Sequence, residues 1–267
     1  MSSIFRYVAL GDSTTEGLDD PYPGSEVYRG FADRLAERLA RLNPDFRYAN
    51  LAVRGRLMRG IREEQLEPAL AMNPDLASII GGVNDILRPK VDIDELGSQM
   101  EEMQRALVDQ GATVIGMTLP DLSDSMGVAK IVSQRLEHYN QAMREAAQRS
   151  GALLIDIARQ AGAYDPACWS IDRLHANSKG HELIALAAAD GLELPGASEE
   201  LAAILAPPLP VVEKQPRLRA IAHETAWVWT HLRPWIMRRL RGQSSGDGIS
   251  AKRPELLPVG SELSPVE

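Results

Sequence analysis

The feature that most restricts the fold of this 267-residue chain is a regular alternation of short apolar runs and longer helical patterns. The apolar runs predict five strands, over Phe5–Leu10, Phe46–Val53, Leu76–Ile80, Thr113–Leu119 and Ala152–Ile157. The helical patterns predict five helices, over Tyr28–Leu42, Arg62–Met72, Ile93–Gln110, Ile131–Arg149 and Ser178–Ala189. Strands joined by helices in this way predict an α/β fold with a five-stranded parallel sheet covered on both faces.

The segments that follow the first three predicted strands are where functional residues are expected. They read GDSTTEG, RGRLMRG and GGVNDIL, and each combines glycine with polar or charged side chains. In open parallel sheets, ligands bind beyond the carboxyl ends of the strands. We therefore expect these three segments to meet at a ligand site.

Ser13, in the first of these segments, is a candidate nucleophile. A serine hydroxyl is a weak nucleophile unless a neighbouring base removes its proton. Asp172 and His175 lie three residues apart just before the last predicted helix, a spacing at which the carboxylate can orient the imidazole. The pattern predicts that His175 is the general base for Ser13 and that Asp172 fixes its tautomer.

Attack by Ser13 on an acyl carbon creates an oxyanion, which requires hydrogen-bond donors that are already in place. The backbone N–H of Gly55 follows the second predicted strand, and the side-chain amide of Asn84 follows the third. The backbone N–H of Ser13 is the third candidate. These groups predict an oxyanion hole drawn from three strand ends, with Gly60 as an alternative to Gly55.

Taken together, these residues resemble the SGNH hydrolases, also called the GDSL esterase and lipase family. Four motifs carry the resemblance in the family's order, namely Gly11-Asp12-Ser13, Gly55, Gly82-Val83-Asn84-Asp85 and Asp172-Arg173-Leu174-His175. The first motif continues with Thr14 in place of the leucine of the family name, and the resemblance covers about residues 4–193. It implies a three-layer α/β/α sandwich of the flavodoxin-like type, and acyl transfer without a metal or any other cofactor.

Each candidate also has a structural interpretation that the sequence leaves open. These interpretations are helix caps at Asp12, Ser13, Asn84, Asp85 and His175, an ion pair of Asp172 with Arg159 or Arg173, and simple turn chemistry at Gly55. Two further histidines are predicted to be non-catalytic. His181 lies inside the last predicted helix, where a structural role is expected, and His138 lies on a helix among polar residues and is predicted to be at the surface.

Composition excludes several classes of protein. The net charge of −8 argues against nonspecific nucleic-acid binding by the whole chain. The single cysteine, Cys168, excludes an intramolecular disulfide and a cysteine-built metal site. The N-terminus has no secretory signal pattern, and no apolar stretch reaches the length of a membrane span. These observations predict a cytoplasmic protein.

The composition changes after Leu194, which predicts a hydrolase domain over residues 1–194 and three further segments. Residues 195–213 contain four prolines and predict a linker or wrapping segment. Residues 214–241 predict a helical extension that carries seven Lys and Arg residues, one Glu and three of the four tryptophans. Residues 242–267 are rich in Gly, Ser, Pro and Glu, which predicts a disordered tail.

The basic extension has more than one interpretation. Its aromatic face is expected to pack on the domain, while peripheral contact with an anionic membrane and a flap or oligomer contact remain open. Residues 242–246 also fit the G-x-S-x-G pattern of a nucleophile elbow. That motif requires a strand before it and a helix after it, and neither is predicted here, so Ser244 is not expected to be a nucleophile.

The sequence therefore predicts a serine hydrolase that cleaves carboxylic esters through Ser13, His175 and Asp172 and an acyl-enzyme intermediate. The expected substrate is a small-molecule, lipid or carbohydrate acyl ester. Two alternatives remain open at this point. One is a thioesterase or acyltransferase that uses the same residues, and the other is a non-catalytic membrane-surface or binding protein.

Overall fold

A computed structural model describes residues 4–121, 130–205 and 245–260 of the chain. Its strands are β1 Arg6–Gly11, β2 Arg47–Asn50, β3 Leu76–Ile80, β4 Thr113–Met117, β5 Leu153–Ile155 and β6 Arg253–Pro258. Its helices are α1 Ser13–Glu16, α2 Gly30–Leu42, α3 Met58–Ala71, α4 Val83–Ile86, α5 Ile93–Asp109, α6 Lys130–Ser150, α7 Ser178–Gly191 and α8 Ala197–Leu205. All five predicted strands and all five predicted helices are present, with unchanged ends for Leu76–Ile80 and shifted ends for the others.

The strands form one mixed sheet in the order β5-β4-β3-β1-β2-β6. The first five strands run parallel to their neighbours, and β6 pairs antiparallel with β2. Since β1 lies between β3 and β2, the carboxyl ends of these three strands are side by side. The topology therefore brings together the three polar segments that the sequence singles out.

The sheet lies between two layers of helices. In one layer α5 packs against both α3 and α6, and α2, α7 and α8 form the other. The core between the layers is apolar and includes Leu10 and Ile79 from the strands and Phe31, Leu35 and Met100 from the helices. Burying each such side chain contributes about 1.5–3 kcal/mol to stability, so the core fixes the strand ends that carry the site.

The expectation of five strands is corrected by β6. This strand lies in the segment for which composition predicts disorder, and that prediction is wrong for Arg253–Pro258. The reason is tertiary, because β6 pairs with β2 and Arg253 donates from Nε to Tyr48 O at 2.8 Å. An edge strand tolerates the prolines at positions 254 and 258, which a composition-based argument counts against any strand.

The segment expected to be a linker, residues 195–213, is helical in part, because α8 forms from Ala197 to Leu205 and packs on α7. The rest of that segment, the basic helix predicted over residues 214–241 and Ser244 lie outside the described residues. The predictions for residues 206–244 therefore stay predictions. Within the described ranges, no helix has the length and hydropathy needed to cross a membrane.

Candidate active site

Ser13 is delivered to the sheet edge by a sharp turn at the end of β1. Gly11, the last residue of β1, has φ of +154°, and a Cβ there would lie 2.3 Å from Ile80 O. Only glycine fits this close approach between strands. Asp12 is the N-cap of α1, its Oδ1 accepting from Thr14 N–H at 3.3 Å. Ser13 is thus the first residue of α1, and its own N–H has no acceptor within the helix.

His175 is held by a tight loop between a 3₁₀ turn, Pro166–Cys168, and α7. Asp172 Oδ1 accepts from the N–H groups of Leu174 and His175 at 3.0 and 3.1 Å. Ser170 N–H donates to His175 O at 2.9 Å, which closes the base of the loop. The three-residue spacing of Asp172 and His175 therefore produces a turn in which the carboxylate fixes the backbone that presents the imidazole.

Ser13, His175 and Asp172 form one continuous hydrogen-bonded chain. His175 Nδ1 lies 2.6 Å from Asp172 Oδ2, and His175 Nε2 lies 3.1 Å from Ser13 Oγ. A carboxylate on Nδ1 holds the tautomer in which the proton is on Nδ1, and Nε2 can then accept the serine proton. The structure brings the three residues together from segments more than 150 positions apart.

Two of the structural interpretations, an ion pair of Asp172 with Arg159 and a helix cap at His175, do not describe the contacts of these residues. Asp172 pairs with His175, whereas Arg159 pairs with Asp156. Asn177, and not His175, is the N-cap of α7, because its Oδ1 accepts from the N–H groups of the residues at positions 179 and 180. Cap geometry thus leaves the imidazole available to Ser13.

The charges of the pair shift both pKa values in the directions expected for an acid–base couple. Burial lowers the pKa of His175, but the hydrogen bond and negative charge of Asp172 outweigh burial, and the pKa is raised above 6.5. Burial raises the pKa of Asp172, but the hydrogen bond from His175 leads the effects that hold it below 3.8. Asp172 is therefore ionised at neutral pH, and the imidazolium is stabilised when it forms.

Asn84 is the second residue of α4, the short helix that follows β3, and it is buried. Its Nδ2 donates to Asp12 Oδ2 at 2.9 Å and to Arg56 O at 3.1 Å. Because these two bonds engage the amide hydrogens, an oxyanion must share or replace one of the two acceptors. Because Asp12 directly precedes Ser13, its contact with Asn84 keeps the Asn84 amide close to the nucleophile's segment.

Gly55 lies in the loop after β2 with φ of +76°, a region that glycine favours. The neighbouring carbonyl, Arg56 O, accepts from Asn84, and Val53 N–H donates to Gly11 O at 3.4 Å. The loop therefore lies between the exits of β1 and β3. Gly60, the alternative donor, lies inside α3, away from the strand exit.

Asp85 caps a helix other than the one expected. Its Oδ2 accepts from Met58 N–H at 3.0 Å, at the start of α3, where Leu57 is the N-cap and has no side-chain acceptor of its own. This explains why α3 begins at Met58, four residues before the helix predicted from Arg62. The cap comes from a residue that is distant in sequence, so local pattern did not indicate it.

Asp12 is more than a helix cap. It is buried, and burial raises its pKa to about 6, with the hydrogen bond from Thr14 and the charge of His175 opposing that rise. Its Oδ2 holds the Asn84 amide. The sequence indicated Asp12 only as a cap, because its second partner comes from a different strand exit.

Asp19 is a second carboxylate near His175 that sequence reasoning missed. Asp19, Asp172 and His175 offer ligand atoms that lie within 4.8 Å of one another, an arrangement in which a metal ion would compete with the Asp172–His175 hydrogen bond. Asp19 is exposed and has φ of +69°. Aspartate is among the few residues that adopt this conformation, but nothing in the local sequence indicated that it would face His175.

An apolar cavity of about 100 Å³ lies beside the hydrogen-bonded chain. Thr14, Val83 and Leu174 line it, and these are sequence neighbours of Ser13, Asn84 and His175. Most of the remaining wall is aliphatic, from Ile86, Leu87, Leu119, Leu136, Leu183 and Ile184. The arrangement combines a polar, hydrogen-bonded centre with an adjacent space suited to a hydrocarbon group.

Comparison with known families gives one match that spans most of the chain. The model of the GDSL-like Lipase/Acylhydrolase family matches residues 9–183, a stretch that contains all five candidate site residues. Among curated protein sequences, none matches.

Solved structures share the fold at low sequence identity. LAE5, described as an alpha/beta hydrolase enzyme from the metagenome of Lake Arreo, Spain, is 24% identical with a TM-score of 0.59, over 71% of this chain and 95% of that one. Axe2, an acetylxylan esterase from Geobacillus stearothermophilus, is 20% identical with a TM-score of 0.58, over 72% and 96%. TesA is 20% identical with a TM-score of 0.59, over 70% and 98%. At these identities the similarity concerns the fold.

Proposed function

The chain belongs to the GDSL-like lipase/acylhydrolase family and is a carboxylic-ester hydrolase, and from this premise we propose that Ser13, His175 and Asp172 form its catalytic triad. The observation that supports this most strongly is the hydrogen-bonded chain from Asp172 Oδ2 through His175 to Ser13 Oγ, with distances of 2.6 and 3.1 Å. A nucleophile, a base and an orienting carboxylate in contact are the arrangement that serine acyl transfer requires.

In the first half of the reaction, Ser13 Oγ attacks the acyl carbon while His175 Nε2 takes the hydroxyl proton. Asp172 keeps the other ring proton on Nδ1 and stabilises the imidazolium. His175 then gives its proton to the departing alcohol oxygen as the carbon–oxygen bond of the ester breaks. The products of this half are the free alcohol and an acyl group on Ser13.

In the second half, water takes the place of the alcohol. His175 removes a proton from the water as its oxygen attacks the acyl carbon, and the same proton returns to Ser13 Oγ when the acyl–enzyme bond breaks. Both tetrahedral intermediates carry a negative oxygen. We assign its stabilisation to the N–H of Ser13, the N–H of Gly55 and Nδ2 of Asn84.

The adjacent cavity indicates the kind of substrate. Its aliphatic wall begins at Thr14 and Val83, next to the nucleophile and the amide donor, so an apolar part of the ester binds there. Burial of apolar surface contributes about 25 cal/mol per Å² in such a site. We therefore propose an acyl ester with a hydrocarbon portion as the substrate, whether the alcohol is a small molecule, a lipid or a carbohydrate.

The first experiment compares Ser13→Ala and Asn84→Ala with the wild type on p-nitrophenyl esters of increasing acyl length. Ser13→Ala is expected to lower kcat by at least about 10³-fold, and Asn84→Ala to lower it about 10²-fold or more with a smaller change in KM. Wild-type rates for Ser13→Ala would exclude the mechanism, and unchanged kcat in Asn84→Ala would remove that donor.

Further reagents distinguish ester hydrolysis from the two alternatives, a non-catalytic protein and a thioesterase or acyltransferase. A fluorophosphonate probe labels Ser13 only if the hydroxyl is activated, so wild type that resists labelling would favour a non-catalytic protein. Thioesters and added alcohols tested beside the oxygen esters measure thioesterase and acyltransferase activity. A preference for either over oxygen-ester hydrolysis would replace the proposed reaction while keeping the proposed residues.

A further inference from the structure

A segment near the C-terminus, beyond the residues that the family model matches, packs close to the candidate active site. The match ends at residue 183, and residues 245–260 then lie along the edge of the sheet. Because β6 is antiparallel to β2, the residues that precede β6 lie beside those that follow β2. The residues that follow β2 include Arg54 and Gly55, and Gly55 is one of the proposed oxyanion donors.

Two cations, one partly buried and one buried, hold this segment, which we call the C-terminal clamp, residues 245–260. Lys252 Nζ donates to Tyr28 O, Arg29 O and Asp33 Oδ2 at 2.8, 2.9 and 3.0 Å. Arg253 is 7% exposed, and its Nε donates to Tyr48 O at 2.8 Å. Both cations donate to groups of the domain, and the Lys252 side chain is only 14% exposed, so these bonds hold the clamp against the domain.

Gly246 is the residue of the clamp that touches the oxyanion loop. It is buried, and a Cβ placed on it would lie 2.1 Å from Arg54 O and 3.0 Å from Val53 Cγ1. A contact of 2.1 Å with a backbone oxygen is far inside van der Waals distance, so the two backbones pack with no room for a side chain. The glycine that ends the G-x-S-x-G pattern is therefore a packing residue.

The peptide unit on the N-terminal side of Arg54, and the Arg54 side chain, are fixed by α1. Glu16, three residues after Ser13, accepts from Arg54 N–H through Oε2 at 2.7 Å and forms an ion pair with the Arg54 guanidinium. The guanidinium also lies over the Tyr28 ring, 5.0 Å from its centroid. Arg54 is thus held between the helix of the nucleophile and the clamp.

Arg54 O and Gly55 N belong to one planar peptide unit, so the carbonyl cannot move without the N–H. We propose that the C-terminal clamp positions the Gly55 N–H for the oxyanion, and that Gly246 is the positioning residue through which it acts. This inference rests on the proposed function, because it takes Gly55 as an oxyanion donor. It assigns a part in catalysis to a segment outside the family match.

The test is Gly246→Ala in the full-length chain, assayed on a p-nitrophenyl ester. The added methyl group must displace Arg54 O or release the clamp, and either change misplaces the Gly55 N–H. We expect kcat to fall about 10-fold or more with KM changed little, because a donor aimed at the oxyanion acts mainly in the transition state. An alkylboronic acid, which forms a tetrahedral adduct on serine, is expected to lose affinity in parallel.

Gly248→Ala is the matched control. Gly248 belongs to the same segment and has φ of +77°, but a Cβ there meets nothing within 4 Å. Its substitution strains the backbone without pressing on the loop, so kcat is expected to remain within about 2-fold of the wild type. Equal losses in the two variants would show a general effect of the segment and overturn the role of Gly246.

A double variant tests whether Gly246 acts through Gly55. Gly55→Ala combined with Gly246→Ala is expected to be no slower than Gly55→Ala alone, because both changes misplace the same N–H. Losses that multiply would overturn the proposal. The acidic limb of the pH–rate profile is expected to stay in place in Gly246→Ala, since the His175–Asp172 pair is not touched.

Two outcomes separate this inference from the proposed function. If Ser13→Ala abolishes activity while folded Gly246→Ala keeps wild-type kcat, the clamp has no positioning role and the triad stands. If Ser13→Ala is fully active, the proposed function itself fails. Should Gly246→Ala not fold, Arg253→Ala replaces it, with release of the clamp verified by protease sensitivity, and wild-type kcat in the released protein overturns the proposal.

Discussion

Two histidines six residues apart, His175 and His181, show how the surroundings of one residue type decide its chemistry. His175 lies in a loop with its side chain 18% exposed and hydrogen-bonds a carboxylate and a hydroxyl. His181 lies within α7, is 1% exposed and contacts only backbone groups through its ring nitrogens. The pKa of the first is raised above 6.5, and burial lowers the pKa of the second to about 4.

The contacts of His181 explain why it remains neutral. Its Nδ1 accepts from Phe31 N–H at 3.2 Å, so Nε2 carries the proton and donates to Leu18 O at 3.2 Å. Both partners are satisfied by the neutral ring, and protonation of Nδ1 would break the bond from Phe31. The comparison teaches that a carboxylate partner favours a histidine that takes up a proton, as a base must, whereas the backbone partners of His181 keep it neutral and make it a connection between α7 and the start of α2.

The largest expected difference between the two histidines is in their effect on kcat. His175→Ala is expected to lower kcat by at least about 10³-fold, because no base remains for Ser13. His181→Asn, the matched control, keeps an acceptor near Phe31 N–H and is expected to keep kcat within a few-fold of the wild type. Steady-state rates of folded protein at neutral pH measure both. A larger loss in His181→Asn than in His175→Ala would reverse the assignment.

The next difference concerns stability at acid pH. Because the folded pKa of His181 is about 4 and its ordinary value is 6.5, the unfolded chain binds the proton first, and stability falls as pH decreases from about 6.5 to 4. At 1.36 kcal/mol per pKa unit, the loss is on the order of 3 kcal/mol. Urea unfolding of the wild type and His181→Asn across this range measures it.

In His181→Asn this particular loss is expected to disappear, so the two stability curves converge at acid pH. His175 has the opposite sign, since its raised pKa adds stability below pH 6.5 that is lost as pH rises through the folded value. Curves that stay parallel from pH 6.5 to 4 would contradict a buried, neutral His181.

The smallest expected effect sharpens the electrostatic side of the comparison. Asp19 contributes to the raised pKa of His175 after burial and Asp172 are accounted for. Asp19→Asn is therefore expected to move the acidic limb of kcat/KM to lower pH, with a shift that shrinks as salt screens the exposed charge. Asp45→Asn, an exposed carboxylate at the opposite end of β2, is the control and is expected to leave the limb in place.

A limb that moves to higher pH in Asp19→Asn, or equally in Asp45→Asn, would show that Asp19 has no specific effect on His175. The direction follows from charge alone. In the proposed mechanism a neutral His175 is the base, and any nearby negative charge favours its protonated form.

The residues that sequence reasoning found and missed differ in how far away their partners lie. The Asp172–His175 turn was predictable because three-residue spacing fixes that contact within one loop. The Asp85 cap on α3 and the Asp12 contact with Asn84 were not, since each joins two strand exits whose adjacency depends on sheet order. The same holds for β6, which forms because it pairs with β2 and because Arg253 bonds to Tyr48 O, contacts that composition does not reveal.

The sequence by itself determined the alternation of strands and helices, the parallel sheet and the chemical type of each candidate at the strand ends. These follow from periodicity and from side-chain chemistry, which are local properties. The tertiary structure alone decided which exits are neighbours, which histidine meets a carboxylate, and that residues 245–260 press on the loop of Gly55. Such contacts join distant segments, and their free energy depends on distance and burial, which exist only after the chain has folded.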